Sequence, residues 1–86
     1  MTQYEIRFKT SAAREFRKLS PEVKLRIREA VNALKSEPRP PGAKKLAGET
    51  HLYRIRVGDY RIIYEVDDSI RMLQVMRVRH RRDAYQ

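Results

Sequence analysis

Leu52-Tyr53-Arg54-Ile55-Arg56-Val57-Gly58-Asp59-Tyr60-Arg61-Ile62-Ile63-Tyr64-Glu65-Val66 decides the fold. Two runs rich in β-branched and aromatic residues flank a Gly-led pair, the signature of a hairpin with a two-residue loop. With Gly58-Asp59 as that loop, Val57 faces Tyr60, Ile55 faces Ile62 and Tyr53 faces Tyr64. These side chains share one apolar face, which predicts packing against helices, so the tyrosines read as core residues. The other face carries Leu52, Arg54 and Arg56 opposite Arg61, Ile63 and Glu65, with Arg56 directly across from Arg61. Like charges in that position are destabilising unless something anionic lies over them. A solvated outer face is the plain alternative, but the opposed arginines tip the reading towards an anion site.

Working outward, Tyr4, Ile6 and Phe8 alternate with Glu5, Arg7 and Lys9, the period of a half-buried strand. Thr10 and Ser11 offer caps for a short helix that turns Ala12, Phe16 and Leu19 inward. Ser20 is a second candidate cap, and Pro21 suits the first position of the next helix. Val23, Ile27, Ala30, Val31 and Leu34 then form one apolar stripe over about four turns. Glu37 to Gly48 concentrates proline and glycine and reads as a loop, made basic by Lys44 and Lys45. Asp67-Asp68-Ser69 turns the chain into a last strand, Met72 to Val78. The expectation is an α+β fold in the order β-α-α-β-β-β, one compact domain over residues 1–86. Its sheet is mostly antiparallel, with both helices packed on one face.

Composition narrows the function. Twenty Lys and Arg against eleven Asp and Glu leave a formal charge of +9 in 86 residues, which predicts an anionic partner. The absence of Cys excludes disulfides, thiol catalysis and thiolate metal sites. Two histidines, His51 and His80, do not build a zinc site alone, so no metal and no cofactor are expected. No apolar run approaches the roughly 20 residues of a membrane span, and the first residues lack a secretory pattern. A cytoplasmic protein is the expectation.

The second constellation is the C-terminal stretch, where Arg77, Arg79, Arg81 and Arg82 surround His80, with Tyr85 close behind. An imidazole and a phenol are not needed merely to keep a tail soluble. Lys45-Leu46-Ala47-Gly48, the hairpin from Tyr53 to Tyr64, and Val78-Arg79-His80-Arg81-Arg82-Asp83-Ala84-Tyr85 together resemble the RelE family, toxins of the RelE/ParE superfamily. The resemblance spans the whole chain in length and element order. It implies metal-independent cleavage of mRNA in the ribosomal A site, and an antitoxin that wraps and blocks the toxin. It matches Arg54, Arg56, Arg61, Arg81 and Tyr85 to the family's active positions, with His80 where relatives often carry a basic residue. Two departures stand out. Arginine replaces the hairpin lysines of some relatives at Arg54 and Arg56, and Arg79 stands where many have glycine.

Cleaving RNA without a metal uses the neighbouring 2′-hydroxyl as nucleophile. That needs a proton acceptor at the hydroxyl, positive charge on the phosphate oxygens and a donor to the leaving oxygen. Arginine suits the phosphate, which assigns Arg61, Arg81 and one of Arg54 or Arg56 to it. With a pKa above about 12, arginine is a poor base. Proton handling therefore falls to His80 or Tyr85. Lys44, Lys45, Arg77, Arg79 and Arg82 are the expected wider RNA-binding set. The partners expected are mRNA, the ribosome and a cognate antitoxin with an acidic, partly helical segment. A ParE-like toxin that binds DNA gyrase without nuclease chemistry shares fold and hairpin and is the runner-up; a passive RNA binder comes third.

Overall fold

The computed structural model describes residues 3–46, 48 and 51–82. Its elements run β1 (Glu5–Phe8), α1 (Thr10–Arg17), α2 (Pro21–Ala33), β2 (Lys44–Lys45), β3 (Leu52–Val57), β4 (Tyr60–Asp67) and β5 (Met72–His80). They form an α+β fold whose five-stranded sheet has the order β1-β5-β4-β3-β2. β1 lies parallel to β5, and every other pair is antiparallel.

The hairpin pairs as its turn dictates: Val57 with Tyr60, Ile55 with Ile62, Tyr53 with Tyr64 and Arg56 with Arg61. Gly58 holds φ at 60°, the left-handed value that the first residue of such a turn requires and that a side chain would strain. One face of the sheet receives Ile55, Ile62, Tyr64, Val66, Leu73, Val75 and Val78, all buried, and meets Ala12, Ile27, Val31 and Leu34 from the helices. Burying each large aliphatic side chain is worth about 1.5–3 kcal/mol, whereas a like-charge cross-strand pair costs a few tenths to about 1 kcal/mol. The apolar face therefore holds the register that the turn sets, and the opposed arginines follow from it.

β5 carries an irregularity that the alternation alone does not announce. Ile63 pairs with Arg77 but Tyr64 pairs with Val75, leaving Met76 as an extra residue. The bulge switches parity along the strand. Leu73 and Val75 face the helices before it, and Val78 and His80 face them after it. Arg77 and Arg79 consequently lie on the outer face; without the bulge they would be aimed into the core.

Three further details differ from the sequence reading. Lys44 and Lys45 lie in a two-residue edge strand opposite Arg54 and Tyr53, not in an irregular loop. The strand is too short to have a pattern, and exists because β3 presents outward backbone groups: Leu46 N–H also donates to the Leu52 carbonyl, at 3.0 Å. The cap of α1 is Lys9, without a side-chain bond, in place of Thr10 or Ser11. Lys9 N–H is still bonded to the Val75 carbonyl, so the chain leaves the sheet and enters the helix in one step. α1 ends at Arg17, with Leu19 packing from just beyond it. The start of α2 is as expected, with Ser20 Oγ accepting from Val23 N–H and Pro21 in the first turn.

The long connection after α2 is tied to the sheet by polar groups. Tyr64, fully buried, donates its hydroxyl to the Pro38 carbonyl at 2.8 Å. Arg39 grips Asp68 with two guanidinium nitrogens at 3.2 and 2.8 Å, donates from Nε to the Tyr53 hydroxyl at 2.9 Å, and lies over the Tyr53 ring. Tyr4 donates to the same Asp68 carboxylate.

These bonds set the expected pH limits of stability. Burial pushes the Tyr64 phenol up to about 12. Its folded-state pKa is raised, so its contribution is complete below the ordinary value near 10 and is lost as pH climbs from there to about 12. Tyr64→Phe should remove this part of the alkaline loss and cost about 0.5–1.5 kcal/mol at neutral pH in denaturant titration. On the acid side, the hydrogen bond from Arg39 holds Asp68 below the usual carboxylate range. Its contribution is present above pH 4 or so and lost as pH falls through the depressed value. The acid transition of Asp68→Asn should be correspondingly less steep, read by circular dichroism against pH.

Candidate active site on the outer face of the sheet

The turn and the bulge together bring Arg56, Arg61 and Arg79 into one cross-strand row over β3, β4 and β5. Two residues along the strands, about 7 Å away, a second row contains Lys44, Arg54, Ile63 and Arg77. The charge then fades. The third row is Leu52, Glu65, Gln74 and Arg7, and the fourth is Asp67, Met72 and Glu5. The outer face is thus cationic at the hairpin end and acidic at the other. A phosphate chain is attracted to the first two rows and repelled by the last.

Individual side chains are held in different ways. Arg56 is exposed and donates from Nε to the Gly58 carbonyl of its own turn at 3.3 Å. Arg77 Nη1 and Arg79 Nε reach one carboxylate oxygen of Glu15 on α1, at 3.4 and 3.3 Å. The other oxygen accepts Val78 N–H at 2.9 Å. Glu15 thereby satisfies an edge donor on the part of β5 that extends past β1, which pairs only as far as Val75. Glu15 was not apparent from the sequence as a site residue; its one local signal is to be the sole acid in α1, among Arg14 and Arg17.

The C-terminal candidates divide. Arg81 N–H donates to the Asp59 carbonyl at 2.7 Å, which pins the chain beside the hairpin turn, and its guanidinium lies 3.9 Å from the Asp59 carboxylate. Arg82 is exposed, and its N–H donates to His80 Nδ1 at 3.2 Å. In the neutral imidazole this places the proton on Nε2. His80 pairs with Tyr60 and meets its ring edge-on at 5.1 Å, on the helix-side face rather than among the arginines. Lys45, opposite Tyr53, likewise belongs to that register while Lys44 joins the second row. Tyr85 lies outside the described residues. Tyr53, Tyr60 and Tyr64 pack against or within the core, as their register requires.

Among the described residues, no group of three or more His, Asp or Glu side chains converges as a metal-holding cluster. Among the same described residues, no helix is long and apolar enough to cross a membrane. The arrangement can bind phosphate oxygens through several forked donors that remain charged at any physiological pH.

Comparison with known proteins gives this geometry a family. A family model described as the ParE toxin of the type II toxin–antitoxin system parDE matches residues 6–85. Toxin RelG of Mycobacterium tuberculosis is 36% identical over 86 residues, covering 95% of each chain. The archaeal RelE–RelB complex of Pyrococcus horikoshii contains a chain that superposes with a TM-score of 0.82 at 29% identity, over 94% of this chain and 97% of that one. The toxin–antitoxin complex RelBE2 of M. tuberculosis gives a TM-score of 0.81 at 32% identity, covering 91% and 98%. The chain therefore belongs to this toxin family of type II toxin–antitoxin systems, as a toxin of the RelE type.

Proposed function

We propose that this RelE-like toxin is a metal-independent endoribonuclease that cleaves mRNA in the ribosomal A site by attack of a 2′-hydroxyl on the adjacent phosphate. The observation that supports this best is the row Arg56–Arg61–Arg79, three like charges directly opposed across three strands on the outer face, Arg56 exposed and the other two half-buried. Arg61, with Arg54 or Arg56, takes the non-bridging oxygens of the scissile phosphate, where negative charge grows as the 2′-oxygen attacks. Arg81, held beside the turn, adds a further forked donor. Lys44, Lys45, Arg77, Arg79 and Arg82 bind the flanking RNA.

His80 or Tyr85 moves the protons. With Nδ1 occupied by Arg82 N–H, Nε2 is the atom of His80 available for this task. The ring lies edge-on to Tyr60, on the opposite side of the sheet from the arginine row, so proton transfer by His80 requires the scissile phosphate to sit at the hairpin end of the row, beside Arg61 and Arg81, where β5 ends. No cofactor takes part, and the setting is the cytoplasm, where translating ribosomes are found. An antitoxin with an acidic, partly helical segment covers the basic surface. The gyrase-binding alternative shares the fold and the name of the family model, but the curated toxin RelG and the RelE–RelB and RelBE2 chains that this protein resembles are of the RelE type, and nothing in the site favours that alternative.

Single-turnover cleavage on programmed ribosomes, in chelator, tests the reading. Wild type should leave 2′,3′-cyclic phosphate ends or their hydrolysis products, and Arg61→Ala or Arg81→Ala should slow it by about 10²–10³-fold. Intact mRNA with folded wild-type protein sinks the proposal. If His80→Ala and Tyr85→Phe each kept near wild-type rates, the proton assignment would be wrong. Antitoxin binding should weaken as salt is raised; an affinity indifferent to salt would mean apolar docking instead.

A further inference from the structure

We infer that Glu15 is an internal anion that occupies Arg77 and Arg79 until RNA phosphate displaces it, which makes it a specificity-determining residue of the ribonuclease site. The inference rests on the RNA-cleaving reading and adds a residue to it.

Three donors converge on this one carboxylate, and they are unequal. Val78 N–H, at 2.9 Å on Oε1, is a good backbone bond that anchors the side chain to the edge of β5. The two guanidinium contacts share Oε2 at 3.3 and 3.4 Å, long for charge-assisted bonds. Glu15 is largely covered, with 26% of its side chain exposed, while Arg77 and Arg79 remain 45% and 36% exposed. A well-anchored anion thus meets two partly exposed cations through long contacts.

The register explains what the contact does. Arg79 stands opposite Arg61, which stands opposite Arg56. By drawing Arg79 towards the β5 edge, Glu15 relieves part of the repulsion along that row while the site is empty. It does the same for Arg77 in the row that also holds Arg54 and Lys44. When a phosphate chain lies over the sheet, both guanidinium groups must leave Glu15 to reach it. Docking is then an exchange of one anion for another rather than a clear gain. An isolated RNA strand, with little else to offer, is disfavoured relative to one presented in a complete site.

Glu15→Gln tests this, because the amide oxygen still accepts Val78 N–H while the charge is gone. The probe is a short oligoribonucleotide with 2′-O-methyl groups, which blocks the attacking hydroxyl. Glu15→Gln should bind it about threefold to tenfold more tightly than wild type at ~0.1 M salt, and the slope of log affinity against log salt should steepen by roughly 0.7. Glu29→Gln, on an exposed position of α2, makes the same change in net charge and should leave both values unchanged. In wild type, the Nε–H NMR signal of Arg79 should shift as the oligoribonucleotide is added, reporting its release from Glu15. This measurement needs no variant to fold.

Equal affinity and slope for Glu15→Gln and wild type, or equal gains from Glu15→Gln and Glu29→Gln, would overturn the inference while ribosomal cleavage by the wild type left the ribonuclease reading standing. An Arg79 signal that stays in place at saturation would overturn it likewise. A wild type that neither binds the oligoribonucleotide at low salt nor cleaves mRNA would overturn both.

Discussion

The two-residue turn at Gly58-Asp59 is the constraint on which the rest of the molecule depends. It fixes the pairing of β3 with β4, and in a strand a shift by one residue would exchange the two faces completely. In the observed register, Ile55, Ile62 and Tyr64 enter the core while Arg54, Arg56 and Arg61 are turned outward together. Core and candidate site are thus two consequences of one pairing. Neither could be moved without the other.

The bulge at Met76 extends that logic to β5. A strand that must bury Leu73 and Val75 near its start and Val78 near its end has to change parity between them, and one extra residue does so. The same residue determines that Arg77 and Arg79 join the arginine face. β5 also runs on past β1, which ends where the chain enters α1, leaving a stretch of edge that α1 covers with the Glu15 carboxylate. A strand edge with unpaired donors invites other chains. Here one such donor is answered by a side chain that also pairs with two arginines.

Much of this was legible in the sequence, and the parts that were not share a physical cause. The hairpin register, the stripe of α2 and the Ser20-Pro21 start are local patterns, repeated over enough residues to be read. The outer-face arginines of the hairpin follow from the register by simple alternation. β2 has only two residues and is specified by its neighbour's unpaired backbone. The bulge shows only as an apolar alternation that slips between Val75 and Val78, which is meaningful once the partner strand is known. Glu15 with Val78, and Arg39 with Asp68, are contacts between residues far apart in the chain, and no spacing rule relates them. His80 was legible as a chemical group but not as a direction, because its face depends on that same slip.

The arginine row also illuminates how activity and stability are traded. A surface chosen for stability would place a carboxylate opposite Arg61 on at least one side, yet the register gives it Arg56 on one strand and Arg79 on the other. Proteins keep such unfavourable arrangements where function requires them. The apolar face tolerates the repulsion because each of its buried aliphatic residues outweighs one like-charge pair. An anion bound only by the folded form then adds to stability in proportion to how fully it is bound. Under the proposed function, RNA phosphates and antitoxin carboxylates would be alike in this respect. Both would relieve the same row, so an acidic segment laid over it would compete with RNA through charge alone, even before it covered any reacting atom.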